Sequence, residues 1–361
     1  MLIGLIADTH YGIRNDSSVF YSYQSKSNEF FLDEFKKRGV TNIIHLGDLF
    51  DRKKYINYIT LNQCRLNFLN KIKTMGFTMD IIAGNHDIYH KNTHDVNSLR
   101  ELIAGRYDNI DIYSVATVKN YDGLDILLIP WICDTNKDVA LYKIQNTSAS
   151  IAFGHLELNG FQMYKDTTLM DHGYDKKLFD GFDLIASGHF HHKSTVGNIN
   201  YLGAAYEFVW SDFNDPRGVH VFDTNTRSLE FIQNPYSMFH MELYDDSDPE
   251  IINDLIKTKD YSYLKDAYVK MVVMKKNNPY LFDVLMDKIY AVSPTDITIV
   301  EDMTQFTDNE EENSVNESED TLTILSKYID GLQMVVDPDK MKAHMREIYM
   351  ESIALEETLD G

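Results

Sequence analysis

Cysteine is nearly absent: only Cys64 and Cys133 occur in 361 residues, and neither lies in a ligand-like cluster. That excludes a disulfide framework and a thiolate metal site, and it fits a reducing, cytoplasmic setting. Long apolar runs are missing too, since none approaches the roughly 18 residues that a membrane span requires. The opening Met1-Leu2-Ile3-Gly4-Leu5-Ile6-Ala7 is apolar, but it lacks a basic leader and stops at an acid. It reads as a buried strand rather than a signal peptide. Basic charge is also short, with 34 Lys and Arg against 56 Asp and Glu, a net of -22. Such a balance argues against a protein that simply coats nucleic acid. Its placement weakens that objection, because Asp308 to Asp320 holds seven acids and no base.

What the chain does have is one repeated arrangement. Ile43 and Ile44 lead through His45-Leu46 into Gly47-Asp48. Leu2 to Ala7 ends in Asp8-Thr9-His10, Met79 to Ala83 in Gly84-Asn85-His86-Asp87, Ser150 to Phe153 in Gly154-His155, and Asp183 to Ser187 in Gly188-His189-Phe190-His191. Each is an apolar run of strand length that delivers Asp, Asn or His at its end. In open α/β sheets the loops leaving the carboxyl ends of strands converge on one crevice, so five such endings predict one shared polar pocket. Arg14, Arg52, Lys53, Lys54, Lys91, Lys165 and Lys193 lie near these endings in sequence. Of these, Arg14, Arg52 and Lys53 are the candidate substrate contacts.

Along the chain, a loop rich in Ser, Asn and Tyr follows the first strand, then a helix over about 28–37 stopped by Gly39. A second helix, about 57–76, carries Tyr58, Leu61, Phe68 and Ile72 on one stripe and Ile59, Leu66 and Leu69 on another. A helix apolar on two sides is buried on two sides, which makes it a candidate contact with a second copy of the chain. From Ile110 the pattern turns to short strands, with Asp122-Gly123 and Gly197-Asn198 as hairpin signals. The order of elements predicts an α/β fold of two packed mixed β-sheets with helices outside, over residues 1–235. Residues 236–303 read as a small α+β domain, 304–320 as an acidic linker too polar to bury, and 321–361 as a helical docking element.

Nitrogen and carboxylate ligands without thiolate suit Mn, Fe or Zn. If the backbone is extended, His189 and His191 project to one side with Cα atoms about 6.6 Å apart and can serve different ions. Two-metal hydrolases hold cations about 3.5 to 4 Å apart, which requires a bridging group; Asp48 fills that place. Singly, each Asp can be a helix N-cap and each His a structural residue, but capping explains none of the histidines. His45, His90, His94, His172 and His192 fall outside the pattern and are left as structural.

The set Asp8-Thr9-His10, Gly47-Asp48, Gly84-Asn85-His86-Asp87, Gly154-His155 and Gly188-His189-Phe190-His191 resembles the calcineurin-like metallophosphoesterases, hydrolases of phosphate esters that use two metals. Three further stretches are similar to the SbcD-type DNA-repair nucleases, including those of T-even phages: Ile129-Pro130-Trp131, Gly154 to Phe161, and Asn214-Asp215-Pro216-Arg217-Gly218. The resemblance implies a four-layer sandwich, a capping domain at 236–303, and C-terminal helices that bind a coiled-coil ABC-type ATPase. It implies two Mn(II) ions, with Mg(II) as substitute, and DNA as substrate, in recombination, repair and replication. It places Asp8, His10, Asp48 and His191 on one ion, and Asp48, Asn85, His155 and His189 on the other. His86 would face the scissile phosphate and assist the leaving oxygen, with Asp87 orienting it. Two alternatives stand beside this. Gly47-Asp48-Leu49-Phe50-Asp51-Arg52 also resembles a segment with which phosphatases of the superfamily grip a phosphomonoester, and a catalytically silent adaptor for the ATPase is the third reading.

Overall fold

The computed structural model describes residues 1–301 apart from Asp166 and Thr168. The expected acidic linker and helical docking element lie outside the described residues.

Two six-stranded sheets make the body. The first runs, in spatial order, Ser228–Gln233, Gly218–Asp223, Leu2–Ile6, Asn42–His45, Thr78–Ile82, Ile110–Tyr113. Its last four strands are parallel and its first two antiparallel. The second runs Ser194–Val196, Ile199–Tyr201, Leu184–Gly188, Ile151–His155, Leu124–Ile129, Thr117–Tyr121, parallel except at its two edges. Strands buried on both faces read as continuous apolar runs, and alternate residues here go to different cores. Ile3, Leu5, Ile44 and Ile82 meet Ile126, Leu128, Ile151 and Phe153 between the sheets. Ile6, Ile43, Met79 and Ile81 turn outward against Phe31, Phe35, Phe68 and Ile72 of two helices. On the far side Leu127, Ala152 and Ile185 pack with Ala140 and Ile144 of the helix Lys137–Asn146. The result is the four-layer metallophosphoesterase sandwich.

Two helices depart from the sequence expectation. The first spans Ser18–Lys37, so it begins about ten residues earlier than the polar segment implied. Its polar residues point inward: Gln24, Ser27 and Asn28 are fully buried. Gln24 Nε2 donates to the Thr9 carbonyl at 2.7 Å and Asn28 Nδ2 to the Tyr11 hydroxyl at 2.7 Å. The second runs Tyr58–Cys64, then a π-helical turn at Arg65–Leu69, then Asn70–Thr74. The π turn re-aims the face, so Leu69 is buried with Phe68 and Ile72, while Tyr58, Ile59 and Leu66 are 87%, 60% and 52% exposed.

Within 236–300, Phe239–Asp245, Tyr268–Lys275 and Asp296–Val300 form a parallel three-stranded sheet. The helices Pro249–Thr258 and Pro279–Tyr290 supply Ile252, Ile256, Phe282, Leu285 and Ile289 to a core with Val269, Met271 and Val273.

Candidate metal centre

The five strands Leu2–Ile6, Asn42–His45, Thr78–Ile82, Ile151–His155 and Leu184–Gly188 bring the polar endings together at one edge of the sandwich. The chain must turn sharply there. Asp8, His10, Asp48 and His189 all have positive φ, at 52°, 42°, 55° and 87°. Left-handed backbone at four non-glycine residues costs energy and collects at functional sites. At His189 the backbone departs from the extended geometry considered for the His189–His191 pair, the strand having ended at Gly188, and the two imidazoles fall in different donor groups. Two glycines are required by close approach. A Cβ on Gly84 would fall on the Asp48 carboxylate, and one on Gly47 would fall on His155 Nδ1.

The donor atoms fall into clusters. Asp8, His10 and His191 form one and Asp48, His155 and His189 another, each with donor atoms within 4.8 Å of one another. Asn85 joins the second, its Oδ1 lying 2.8 Å from His155 Nε2 and 3.0 Å from His189 Nδ1. Asp48 lies between them: its Oδ2 is 3.6 Å from His10 Nε2 and 3.3 Å from His155 Nε2. His86 makes a third cluster with His10 and Asp48, so distance alone admits it as a further ligand. Its Nδ1 lies 2.5 Å from the Asp51 carbonyl. A carbonyl only accepts, so Nδ1 carries the proton and Nε2 is the nitrogen left to titrate.

Electrostatics explain why this arrangement calls for cations. Burial beside Asp48 raises the Asp8 carboxyl to about 7 and that of Asp87 likewise to about 7. Burial also disfavours the Asp48 anion, but His155 and His86 outweigh it and hold Asp48 well below the usual carboxylate range. His155 itself loses charge preference through burial, yet Asp48 and Asp8 lift it to about 9. Burial lowers His86, His189 and His191. Crowded acids and clustered imidazoles, with no thiolate among the clustered donors, are the donor set that a hard or borderline divalent cation satisfies. The residues present therefore fit a two-metal site.

Several residues take other positions than the sequence predicted. Asp87 does not orient His86. Its carboxylate accepts from the amides of Gly84, Asp48 and Leu49 at 2.9, 2.9 and 3.1 Å, which ties the loop carrying Asn85 to the loop carrying Asp48. Arg52 is committed elsewhere: its guanidinium donates to Asp16 Oδ2 and Asn15 Oδ1, both at 2.9 Å. Those contacts hold a turn in which Arg14, Asn15 and Asp16 all have φ between 55° and 61°. Arg14 is exposed, 5.6 Å from the centroid of the Tyr268 ring. Lys53 is half-buried, and burial lowers its pKa.

Other residues surround these clusters. His45 Nε2 is 3.0 Å from Thr9 Oγ1 behind the first loop. Trp131 lies 5.0 Å from the His189 ring, and Phe208 5.5 Å from the rings of both His10 and His191. Beneath His191, the Asn214 to Gly218 motif acts through Arg217, whose Nη2 meets Asp212 at 2.5 Å and Asp215 at 3.1 Å. Asp215 in turn meets His192 Nδ1 at 3.0 Å.

Residues 1–193, more than half of the chain, match the calcineurin-like phosphoesterase family. The chain belongs to that family. It is also 30% identical over 354 residues to exonuclease subunit 1 of Enterobacteria phage T4, an alignment that covers 96% of this chain and 98% of that protein. Among solved structures, an archaeal phosphodiesterase aligns at 12% identity and a TM-score of 0.34, over 64% of this chain and 99% of its own. A dimetal phosphatase from Danio rerio aligns at 11% and 0.38, over 61% and 91%.

Proposed function

We propose that this calcineurin-like phosphoesterase is a Mn(II)-dependent nuclease subunit that cuts DNA phosphodiesters, as a 3' to 5' exonuclease on duplex ends and an endonuclease on single strands. One observation carries the reading: two donor clusters, one containing Asp48 and the other reaching it through His10 at 3.6 Å, occur in a chain that aligns almost end to end with a phage exonuclease subunit. Asp8, His10, Asp48 and His191 would hold one cation, and Asp48, Asn85, His155 and His189 the other, with Mg(II) as a substitute. Cations bound there would acidify an attacking water and carry charge that develops on the phosphoryl oxygens. The protein's own part is positioning. Asp87 holds the two central loops in register, and His86, its Nδ1 proton anchored on Asp51, presents Nε2 as donor to the leaving oxygen when protonated.

The phosphomonoesterase reading needs Arg52 to grip a terminal phosphate, and its pairing with Asp16 and Asn15 speaks against that. We assign as partners DNA, a coiled-coil ABC-type ATPase reached through residues 321–361, and a second copy of the chain met by the exposed Tyr58, Ile59 and Leu66. The test is to incubate the full chain and His86→Ser with Mn(II) and linear duplex DNA, circular single-stranded DNA or a phosphomonoester. DNA cutting that His86→Ser loses while still binding two Mn(II) supports the nuclease and makes His86 a catalytic group rather than a ligand. Cleavage of the monoester alone would replace the reading with the phosphatase.

A further inference from the structure

We propose that Asp51 and Glu157, two carboxylates outside the ligand pattern, are positioning residues that fix one histidine in each half of the metal centre from behind. The inference rests on the two-metal reading above. In the first half, His10 turns Nε2 inward, 3.2 Å from His191 Nε2 and 3.6 Å from Asp48 Oδ2, and its Nδ1 faces Asp51 Oδ1 at 3.4 Å. In the second half, His189 turns Nδ1 inward, 3.0 Å from Asn85 Oδ1, and its Nε2 faces Glu157 Oε1 at 3.7 Å. Both outward nitrogens are buried and make no hydrogen bond among the described residues. Buried ring nitrogens are ordinarily satisfied, and each of these has a carboxylate within a few tenths of an ångström of bonding distance.

A carboxylate behind a ligand imidazole selects the tautomer that leaves the inward nitrogen free to coordinate, and it raises that nitrogen's basicity. The two acids are themselves anchored. Asp51 donates its amide to the Tyr11 carbonyl at 3.0 Å and accepts His86 Nδ1 on its own carbonyl. Glu157 accepts the Tyr174 amide at 2.9 Å, and its carboxylate lies 3.6 Å from His172 Nε2 on the outer side. His155, by contrast, is backed by a neutral group, the Leu46 carbonyl, at 2.7 Å from Nδ1. Asp51 therefore serves the His10 half and, through its carbonyl, His86 as well; Glu157 serves the His189 half.

The test titrates Mn(II) into the metal-free full-length chain, wild type, Asp51→Asn and Glu157→Gln, by calorimetry and by the electron paramagnetic resonance of bound Mn(II). Each variant should weaken one of the two equivalents by about 10- to 100-fold and leave the other as in the wild type, with the metal-free melting temperature unchanged. Glu157→Ala, which removes the acceptor as well as the charge, should weaken it at least as much. Should either variant unfold, Asp51→Glu and Glu157→Asp carry the same comparison. Wild-type affinity for both equivalents in folded variants overturns the positioning role while the two-metal reading stands. A wild type that binds fewer than two Mn(II) overturns both.

Discussion

Replacing Asp8 by asparagine should make the metal-free protein more stable at pH 8 while removing the stabilisation that metal brings. Asp8 is fully buried, and burial beside Asp48 raises its carboxyl from an ordinary 3.8 to about 7. The folded state therefore keeps a proton that the unfolded chain gives up near 3.8. Between those values the folded state binds more protons, so stability falls as pH rises, and above about 7 the whole penalty is present. The rise corresponds to roughly 4 kcal/mol. An asparagine keeps one oxygen to accept from the His189 amide, which now reaches both Asp8 oxygens at 3.0 and 3.1 Å, so about 2 to 4 kcal/mol of relief remains. For a folded unit of 300 residues that is roughly 3 to 6 °C in melting temperature. Metal should invert the order. A ligand at 100 times its dissociation constant adds about 2.7 kcal/mol to a protein that binds it, and Asp8→Asn should gain almost none of this. Thermal melts at pH 4 and pH 8, with chelator and with Mn(II), check both halves. A metal-free Asp8→Asn that melts below wild type at pH 8 would refute the electrostatic reasoning.

Gly84→Ala should cost metal binding more than folding: its Cβ displaces the Asp48 carboxylate, so calorimetry should show both Mn(II) equivalents weakened while the metal-free protein loses about 1 to 3 kcal/mol. Glu207→Gln tests a second buried acid. The Glu207 carboxylate accepts the Met238 and Phe239 amides at 2.6 and 3.1 Å, and burial pushes it up to about 7. Wild-type stability should fall relative to Glu207→Gln as pH rises from about 4.5 to 7, by roughly 3 kcal/mol at most, read from denaturant melts; a difference independent of pH would count against it. Arg52→Ala should release the Asp16 turn and destabilise by about 1 to 2 kcal/mol, while Mn(II) stoichiometry stays at two. Ile59→Glu with Leu66→Glu should give a monomeric mass by light scattering if the exposed face joins two copies.

The candidate ligands were legible because their signal is local. A strand that ends in Gly-Asp, Gly-Asn-His or Gly-His announces itself within six residues, and the parallel sheet does the rest by placing carboxyl ends side by side. The supporting residues were not legible, because each acts across the fold. Asp51 and Glu157 sit behind histidines that are distant in sequence, and Asp87 looks like a partner of its neighbour His86 until its carboxylate is seen to gather amides from another loop. Two helices show a different gap. Asp248 accepts from the amides of Glu250 and Ile251 and precedes Pro249, as Asn278 accepts from Tyr280 and precedes Pro279. That start signal is the same in both, a polar cap followed by proline at the first turn, and it lies in the turn before each helix rather than in the apolar pattern by which the region reads as α+β.

The first helix shows why polarity misled. Ser, Gln and Asn at Ser18 to Asn28 read as loop because such residues normally face water, and here the water-facing role is reversed. Strained loops at Asp8, His10 and Asp48 cannot form regular ladders, so their backbone groups need partners from outside the sheet. Gln24 supplies one to the Thr9 carbonyl, and Asn28 secures the Tyr11 ring beside the Phe68 core. The polar face of that helix thus backs the loop from Asp8 to Tyr11, and its ten extra residues include the donor that this loop uses. It follows that Gln24→Leu, although it buries more apolar surface, should leave the Thr9 carbonyl unpaired at a cost of about 1 to 3 kcal/mol. The loss should appear in the metal-free protein as lower stability, and in the loaded one as weaker Mn(II) binding, since the strain then falls on the Asp8–His10 loop. Unchanged metal affinity together with raised stability would mean that the loop holds its shape without the helix.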